Sequence, residues 1–259
     1  MHNDIYTTGE YILNNPTLDI EDTPWKLEKI FPALDNFIQD DVAKEIKLLD
    51  VGGGAGLILK GVSDYLREEN IEVKKYALDL SMEMLQRQKD NNPDLEAVYK
   101  GNIERTPFNN KEFDLVLMVD VLEHVPDTSA ALKELSRISK YVIFKVPLED
   151  NIYYNMLNFI KRGGLRRYII NKTGHINSYN FVRLRDEISA HTGQILCYSF
   201  TNVFSYYLSE SYHKELLARE KILYTLGKMT FSASPFLCSC IFPDFVLCLV
   251  KCRERKSYL

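Results

Sequence analysis

No stretch of this 259-residue sequence stays apolar over the roughly 18 positions that are needed to cross a bilayer. The richest apolar stretch, residues 236–250, is interrupted by Pro243 and Asp244 and is predicted to be a strand of the core. The first ten residues are polar and acidic, which is unlike a secretion signal. We therefore expect a cytoplasmic protein without a membrane partner.

Cysteine is scarce, and its count of five is odd. An odd number without a secretion signal indicates free thiols in a reducing compartment. Four of these cysteines lie late in the chain, but their C-x-C and C-x3-C spacings do not match a usual zinc knuckle. We expect small buried core residues rather than a zinc site.

The chain also has no excess of positive charge, and its formal net charge is -4. This balance argues against nucleic acid as a partner, since nucleic-acid binding requires a basic surface. Residues 161–167 nevertheless carry four basic side chains. The favoured interpretation is a solvated loop, and the alternative is a binding site for an anionic ligand.

What the sequence does contain is a regular alternation of β-branched apolar runs with amphipathic segments. Such alternation predicts a parallel sheet flanked by helices. The predicted strands are residues 46–51, 73–80, 95–99, 113–119, 141–146, 194–201 and 244–251. The predicted fold class is therefore α/β, with a Rossmann-like, seven-stranded, mostly parallel sheet that has helices on both faces.

Three segments lie outside this alternation, and we interpret them as parts of a single domain that spans residues 1–259. Residues 1–40 are expected to form an N-terminal lid with an amphipathic helix over residues 24–38, which Pro32 would kink or divide. Residues 148–178 and 204–240 are expected to be helical insertions over the carboxyl edge of the sheet, with a helix over residues 209–228.

The turn after the first strand, residues 50–56 (DVGGGAG), is the segment most informative about chemistry. Its glycines let the backbone turn tightly against a ligand before a helix starts. The dinucleotide fingerprint would require glycine at position 57, where this chain has Leu57. Asp50 would also repel a pyrophosphate, whereas it suits a ligand with ammonium and sulfonium groups. The turn therefore argues against a nicotinamide dinucleotide.

Further polar side chains follow the next strands, at the edge where ligands bind in open α/β folds. Asp79 ends the second strand and is placed to accept both hydroxyls of a ribose. Asn102 and Ile103 follow the third strand, where a polar and an apolar side chain are placed to hold and cover an adenine. Residues 120–127 (DVLEHVPD) follow the fourth strand. A nucleoside site at this edge is therefore expected.

With these motifs in this order, residues 46–146 resemble the class I S-adenosylmethionine-dependent methyltransferases, specifically the broad group with D-V-G-G-G-x-G and L-E-H-V motifs. The resemblance implies S-adenosylmethionine as the cofactor. The chain departs from the family pattern at Asn102, where Asp is common, so an altered adenine contact is expected. The cofactor-binding residues that the resemblance implies are Asp50, Gly52, Gly53, Gly54, Asp79, Leu80, Asn102, Ile103, Asp120, Val121 and His124.

Residues 15–26 and 174–179 (GHINSY) resemble segments of bacterial methyltransferases of surface-polysaccharide or small-molecule biosynthesis. This second resemblance implies a small-molecule acceptor, with O-methylation of a sugar or another biosynthetic intermediate as the expected reaction. N-methylation of a small molecule is one alternative, and a protein that keeps the cofactor without catalysis is another. A monomer and a homodimer are both compatible with the sequence.

Methyl transfer is an in-line displacement, so a hydroxyl or amine acceptor needs alignment and a group that takes its proton. His175 is the candidate general base, because imidazole titrates near neutral pH and this residue lies in an insertion over the carboxyl edge. The alternative is that His175 caps a helix or fixes the insertion. His124 is expected to be a wall of the pocket rather than a base. The candidate substrate-side residues are Tyr6, Tyr11, Trp25 and Asn177, of which the aromatic ones are expected to form a lid.

No metal is expected. The alternative is magnesium at Asp120, Asp150 and Asn151, since catechol-type methyltransferases hold this ion with acids and an amide at comparable strand ends. Against a metal, Asp120 belongs to the D-V-L-E-H motif, and the Asp150-Asn151 pair is a common start of a helix.

Overall fold

A seven-stranded mixed sheet forms the centre of the computed structural model, which describes residues 20–40, 42–212 and 215–254. Its strands are β1 Glu45–Val51, β2 Glu72–Asp79, β3 Leu95–Lys100, β4 Phe113–Val119, β5 Ser139–Leu148, β6 Gly193–Phe200 and β7 Asp244–Cys252. Their order is β3-β2-β1-β4-β5-β7-β6. The strands β1 to β5 pair in parallel, and β7 is antiparallel to both β5 and β6. The predicted Rossmann-like, mostly parallel sheet is therefore confirmed.

Helices join the strands and cover the sheet. In the described part of the chain they are α1 Thr23–Ile38, α2 Leu57–Glu68, α3 Met82–Asn91, α4 Thr128–Ile138, α5 Ile152–Ile160, α6 Gly164–Thr173, α7 Phe181–His191, α8 Val203–Tyr207, α9 Ala218–Ala233 and α10 Pro235–Ile241. Short 3-10 turns lie at Ile20–Asp22 and Leu122–His124. None of the described helices combines the length and the apolar character that crossing a bilayer requires.

The sheet is buried on both faces. The helices α1 and α2 pack on one face, and α4 and α7 pack on the other. Alternate residues of β4 serve the two cores: Leu115 and Leu117 belong to the first, and Val116 and Met118 belong to the second. All four are completely buried. Burial of each such side chain contributes about 1.5–3 kcal/mol, so this continuous apolar run stabilises both layers.

The strand order reverses at the centre of the sheet, between β1 and β4. Ligands of open α/β sheets bind at such a reversal, beyond the carboxyl ends of the strands. The strand β1 ends at Val51, directly before the glycines, and β4 ends at Val119, directly before Asp120. The fold therefore brings the two most distinctive motifs of the sequence side by side.

Two stretches in the second half of the chain differ from their predictions. The first part of the stretch 236–250, which was predicted as strand, belongs instead to the helix α10, because Pro235 suits the first helical position and the Ser234 hydroxyl accepts the Leu237 N–H at 3.2 Å. The helix expected over residues 209–228 is replaced by α8 and the later α9. The predicted first helix is present as α1, a 16-residue helix that Pro32 does not divide.

Candidate active site

A cavity of about 360 Å³ lies where β1, β2 and β4 end, and segments from across the chain line it. We name one part the glycine end; it comprises residues 50–55, 78–81 and 101–103. We name the other part the histidine end; its lining includes Trp25, Lys26, residues 119–121, Glu123, His124, Lys145, Thr173, His175, Val203, Tyr206, Tyr207 and Phe245.

The glycine turn has a backbone that side chains would obstruct. Gly52 has a φ of +65°, and its N–H donates to the Leu78 carbonyl at 2.8 Å. A Cβ atom on Gly53 would lie 1.9 Å from the Asp50 Oδ2 atom. A Cβ atom on Gly54, in contrast, would meet no described atom within 4 Å, and Gly54 lines the cavity. The turn therefore closes tightly on Asp50 and leaves room for a ligand beside Gly54.

Asp50 is a buried acceptor, with only 1% of its surface exposed. Among the described residues, its Oδ2 atom has no hydrogen-bond partner. Burial, together with the charge of Asp79, raises the pKa of Asp50 to about 7. An unsatisfied buried carboxyl oxygen is costly, so a ligand that supplies a cationic donor fits this position.

Asp79 ends β2, as the sequence predicted, and lines the cavity together with Leu80. Burial raises the pKa of Asp79 to about 6, although backbone N–H donors oppose the rise. One of these donors is Ser81, whose N–H contacts the Oδ1 atom at 2.8 Å. The backbone thus fixes the carboxyl group at the strand end, where it is placed to receive ligand hydroxyls.

Asn102 and Ile103 also line the glycine end. The Asn102 side chain, however, folds back on its own turn: its Oδ1 atom accepts the Glu104 N–H at 2.9 Å, and its Nδ2 atom donates to the Glu104 carboxylate at 3.1 Å. Ile103 is 5% exposed. Both hydrogen bonds of the Asn102 amide therefore lie within its own loop and stabilise it. This is the structural consequence of having Asn, and not the common Asp, at position 102.

Asp120 lies in the histidine end and forms ion pairs with two lysines of the same end. Its carboxylate lies 2.5 Å from the Lys145 Nζ atom and 3.0 Å from the Lys26 Nζ atom. Burial would raise the pKa of Asp120, but the two ammonium groups hold it well below its usual range. Its backbone is left-handed, with a φ of 56°. Asp120 thus joins α1 to β5 at the cavity wall, and its predicted contact with the cofactor stays a prediction.

The magnesium alternative does not assemble. The Asp150 carboxylate accepts the Asn155 and Asn180 amides at 2.9 and 2.8 Å. Asn151 caps α5 by accepting the Tyr154 N–H at 2.9 Å, as expected for a helix start. Both residues lie outside the lining of the cavity to which Asp120 belongs.

His175 lies in the cavity wall and is oriented by an acid. Its Nδ1 atom is 2.7 Å from the Glu149 Oε1 atom, and the Arg166 guanidinium lies 3.2 Å from the other oxygen of that carboxylate. Burial lowers the pKa of His175, but the hydrogen bond to Glu149 and the neighbouring carboxyl groups raise it above its ordinary value overall. Because Nδ1 faces a carboxylate, the proton is assigned to Nδ1, and Nε2 is left as the proton acceptor.

Glu123 and His124 stand beside this pair. Glu123 is 1% exposed, and neither carboxyl oxygen has a hydrogen-bond partner among the described residues. Burial raises the pKa of Glu123 to about 8 and lowers that of His124 to about 4. The His124 and His175 rings lie edge to face, 4.8 Å apart. Ligand atoms of Glu123, His124 and His175 lie within 4.8 Å of one another, which makes this the candidate set for a divalent ion in the described chain.

Aromatic side chains close the histidine end. Trp25 stacks on Tyr206 with ring centroids 4.8 Å apart, and the buried Lys145 ammonium lies 3.6 Å from the centre of the Phe245 ring. Trp25 was predicted for this wall. The other members, together with Tyr207, were missed, because they come from segments without a motif. The predicted partners Tyr6 and Tyr11 lie outside the described residues.

Asn177 does not line the cavity among the described residues, contrary to its prediction as a substrate-side residue. Its Nδ2 atom donates to the Val125 carbonyl at 2.7 Å, and its backbone N–H donates to the Glu123 carbonyl at 2.9 Å. Asn177 therefore holds the turn that carries Glu123 and His124, because a short polar side chain there satisfies carbonyls that the 3-10 turn leaves open.

Sequence comparison matches this core to known proteins. Residues 49–141 match a family described as a methyltransferase domain. An uncharacterized methyltransferase of Schizosaccharomyces pombe is 35% identical over 108 residues, which are 38% of this chain and 38% of that protein. The ubiquinone/menaquinone biosynthesis C-methyltransferase UbiE of Rickettsia prowazekii is 28% identical over 146 residues, which are 52% of this chain and 59% of that protein. The chain therefore spans between 38% and 59% of the length of these relatives.

Structural comparison gives the same fold. The geranyl diphosphate C-methyltransferase from Streptomyces coelicolor A3(2), in complex with Mg²⁺, geranyl diphosphate and S-adenosyl-L-homocysteine, superposes with a TM-score of 0.57. The match covers 87% of this chain and 82% of that chain at 11% sequence identity. At this identity the likeness concerns the fold alone.

Proposed function

We propose that this chain, which belongs to the class I S-adenosylmethionine-dependent methyltransferase family, methylates a small molecule at an oxygen atom. The observation that carries this proposal is the arrangement of one cavity, with a tight glycine turn around an unsatisfied buried carboxyl group at one end. An acid-oriented histidine lies at the other end. A cationic methyl donor and a proton acceptor are what methyl transfer to a hydroxyl requires.

The residues of the glycine end fit S-adenosylmethionine. Asp50 would accept the ammonium group of its methionine portion, and Gly54 leaves space beside the turn. Asp79 would accept the ribose hydroxyls, since a carboxylate at the end of the second strand serves this role in nucleoside sites. Leu80 and Ile103 would cover the adenine.

The residues of the histidine end fit the acceptor and its proton. S-adenosylmethionine supplies a methyl group on a positively charged sulfur, and the acceptor oxygen forms its bond to that carbon as the carbon–sulfur bond breaks. His175 Nε2 would take the hydroxyl proton, while Glu149 keeps the ring in the required orientation. The aromatic wall around Trp25 and Tyr206 would exclude water and align the acceptor.

We further propose that residues 1–259 form one domain and that residues 1–40, 148–178 and 204–240 determine the acceptor. Trp25, Thr173, His175 and Tyr206 are the lining residues that support this assignment. They place a part of each segment in the histidine end.

C-methylation is the second candidate, because the Rickettsia prowazekii relative is named as a C-methyltransferase. N-methylation would use the same donor and the same base. The Glu149–His175 pair favours an acceptor that loses its proton during transfer, such as a hydroxyl or an amine.

Calorimetric titration of the purified protein tests the donor. We expect micromolar binding of S-adenosylmethionine and S-adenosylhomocysteine and no binding of NADH. Replacement of Asp79 by alanine should weaken both adenosyl ligands by more than about tenfold, since charged hydrogen bonds are lost. Asp90→Ala, at an exposed acid of α3, is the matched control and should bind as the wild type does. Equal affinity of Asp79→Ala and the wild type would exclude Asp79 as the ribose ligand.

A further inference from the structure

Three helices outside the sheet expose large apolar side chains. The residues are 48% to 85% exposed, with Phe159 at the upper limit. We name them the insertion surface: Ile152, Met156, Phe159, Ile160, Ile222, Leu226, Met229, Phe236 and Leu237. Water-soluble surfaces rarely concentrate so many large apolar side chains, and such patches mark binding sites.

The members of this surface are arranged on helix faces rather than scattered. In α5 they recur at positions i, i+4, i+7 and i+8, beginning at Ile152. In α9 they recur at i, i+4 and i+7, beginning at Ile222. Both spacings place the side chains on one side of a helix. The helix α10, which carries Phe236 and Leu237, packs against both α9 and α5, so the three faces belong to adjoining elements.

Positive charge accompanies this apolar surface. Residues 152–173 and 216–241 contain eight basic side chains and one acidic side chain, although the whole chain carries a net charge of -4. Lys161 and Arg162 follow α5 directly, Arg167 lies in the first turn of α6, and all three are exposed. None of the three forms an ion pair among the described residues. The protein is therefore acidic as a whole, but residues 152–173 and 216–241 are strongly basic.

We propose that the insertion surface docks on an anionic lipid bilayer. Exposed apolar side chains flanked by lysine and arginine are the combination that inserts into the boundary between headgroups and acyl chains. A second copy of this chain is the weaker occupant, because two basic regions would face each other across the contact. Nucleic acid would leave the apolar side chains in water.

Docking of this kind differs from crossing a membrane. The helices α5 and α10 have 9 and 7 residues, and an interfacial helix needs only an apolar face. The sequence argued against a membrane partner because it lacks a spanning run and a net positive charge. Docking on a membrane surface requires neither a spanning run nor a net positive charge of the whole chain, since the basic residues are concentrated in one region. This proposal departs from that expectation and does not depend on the methyl transfer proposed above.

Sedimentation of the full chain with lipid vesicles tests the proposal. Vesicles of phosphatidylcholine mixed with phosphatidylglycerol should bind the protein, and vesicles of phosphatidylcholine alone should bind it at least about tenfold more weakly. Added salt should weaken the binding, because screening reduces the attraction. Absence of binding to the anionic vesicles, or equal binding to both kinds, would overturn the proposal.

Two pairs of substitutions separate the apolar and the electrostatic contributions. Phe159→Ser with Ile160→Ser, and Lys161→Glu with Arg162→Glu, should each weaken vesicle binding by about tenfold or more. The controls are Val182→Ser, at an exposed apolar position of α7, and Lys89→Glu with Lys133→Glu, which changes the net charge equally at exposed positions of other helices. Equal losses in the controls would overturn the proposal.

Light scattering of the same variants tests the competing occupant. We expect Phe159→Ser with Ile160→Ser to leave the molar mass unchanged. A dimer that this variant dissociates, in a protein that ignores anionic vesicles, would assign the surface to a contact between copies instead.

Discussion

The two ends of the cavity are built in different ways. The glycine end comes from residues 50–55, 78–81 and 101–103, which follow consecutive strands in the sequence. The histidine end combines residues from α1, the turn after β4, β5, the segment after α6, α8 and β7. A site at consecutive strand ends can be recognised from short sequence motifs. A site assembled from distant segments can be recognised only in the folded structure.

Electrostatics also distinguish the two ends. At the glycine end, Asp50 and Asp79 both have raised pKa values because burial is not offset by a nearby cation. At the histidine end, Lys26 and Lys145 hold the pKa of Asp120 low. The glycine end therefore favours a cationic ligand. At the histidine end, Asp120 is already paired with two lysines, whereas burial raises the pKa of the neighbouring Glu123 to about 8.

The largest effect that separates the two ends is expected from His175→Ala. With an acceptor found by a screen that begins with nucleotide sugars, kcat should fall by about 10²- to 10⁴-fold, because the proton acceptor is lost. The affinity for S-adenosylmethionine, measured by calorimetry, should remain within about twofold, since His175 belongs to the other end. His191→Ala, at the end of α7, is the control. Undiminished turnover would remove His175 as the base and leave the glycine end untouched.

Glu149→Gln should have a smaller effect on rate and a distinct effect on pH dependence. The neutral form of His175 is the base, so the rate should rise as pH increases through its pKa. Glu149 raises that pKa, as do Glu123 and Asp120, so removal of its charge should move the midpoint of the pH–rate profile downward. We expect a shift of about one pH unit and a loss of about tenfold in kcat at high pH. Asp186→Asn, at an exposed acid of α7, should leave the midpoint unchanged; an upward shift in Glu149→Gln would contradict the assigned pairing.

The smallest predicted effect concerns the pH dependence of the stability of the folded state, to which Glu123 of the histidine end contributes. The folded pKa of Glu123, about 8, exceeds its ordinary value of 4.5. The folded state therefore binds this proton more tightly, and stability decreases as pH rises from about 5 to about 8. Thermal unfolding should show that the Tm of the wild type, relative to Glu123→Gln, falls over this range. A constant difference in Tm would mean that Glu123 ionises freely.

The sequence predicted most of the sheet, and the reason is local. Short continuous apolar runs define strands such as β4, whose bounds match the prediction residue for residue. Glycine and aspartate at strand ends are equally local, so Asp50, Gly52 and Asp79 were found without a structure. The cap of α3 is local as well, since the Ser81 hydroxyl accepts the Met84 N–H at 3.4 Å.

Long-range contacts explain what was missed. Lys145 reads as an interior strand residue, and only the fold brings it within 2.5 Å of Asp120. Glu149 was not among the predicted site residues, because its partner His175 lies 26 residues later in the chain. Asn177 belongs to a motif, but its amide serves backbone carbonyls instead of a ligand. In each case the residue type indicated a polar contact, whereas the group that it contacts depended on long-range packing.

The position of β6 and β7 at one side of the sheet has an evolutionary consequence. The chain segments that carry α5, α6, α8, α9 and α10 leave the sheet beyond β5 and return through these two strands. The length and composition of these segments can therefore change without disturbing β1 to β4. On the proposal that these segments determine the acceptor, a new acceptor would require changes in them alone, while the residues proposed to bind the donor stay the same.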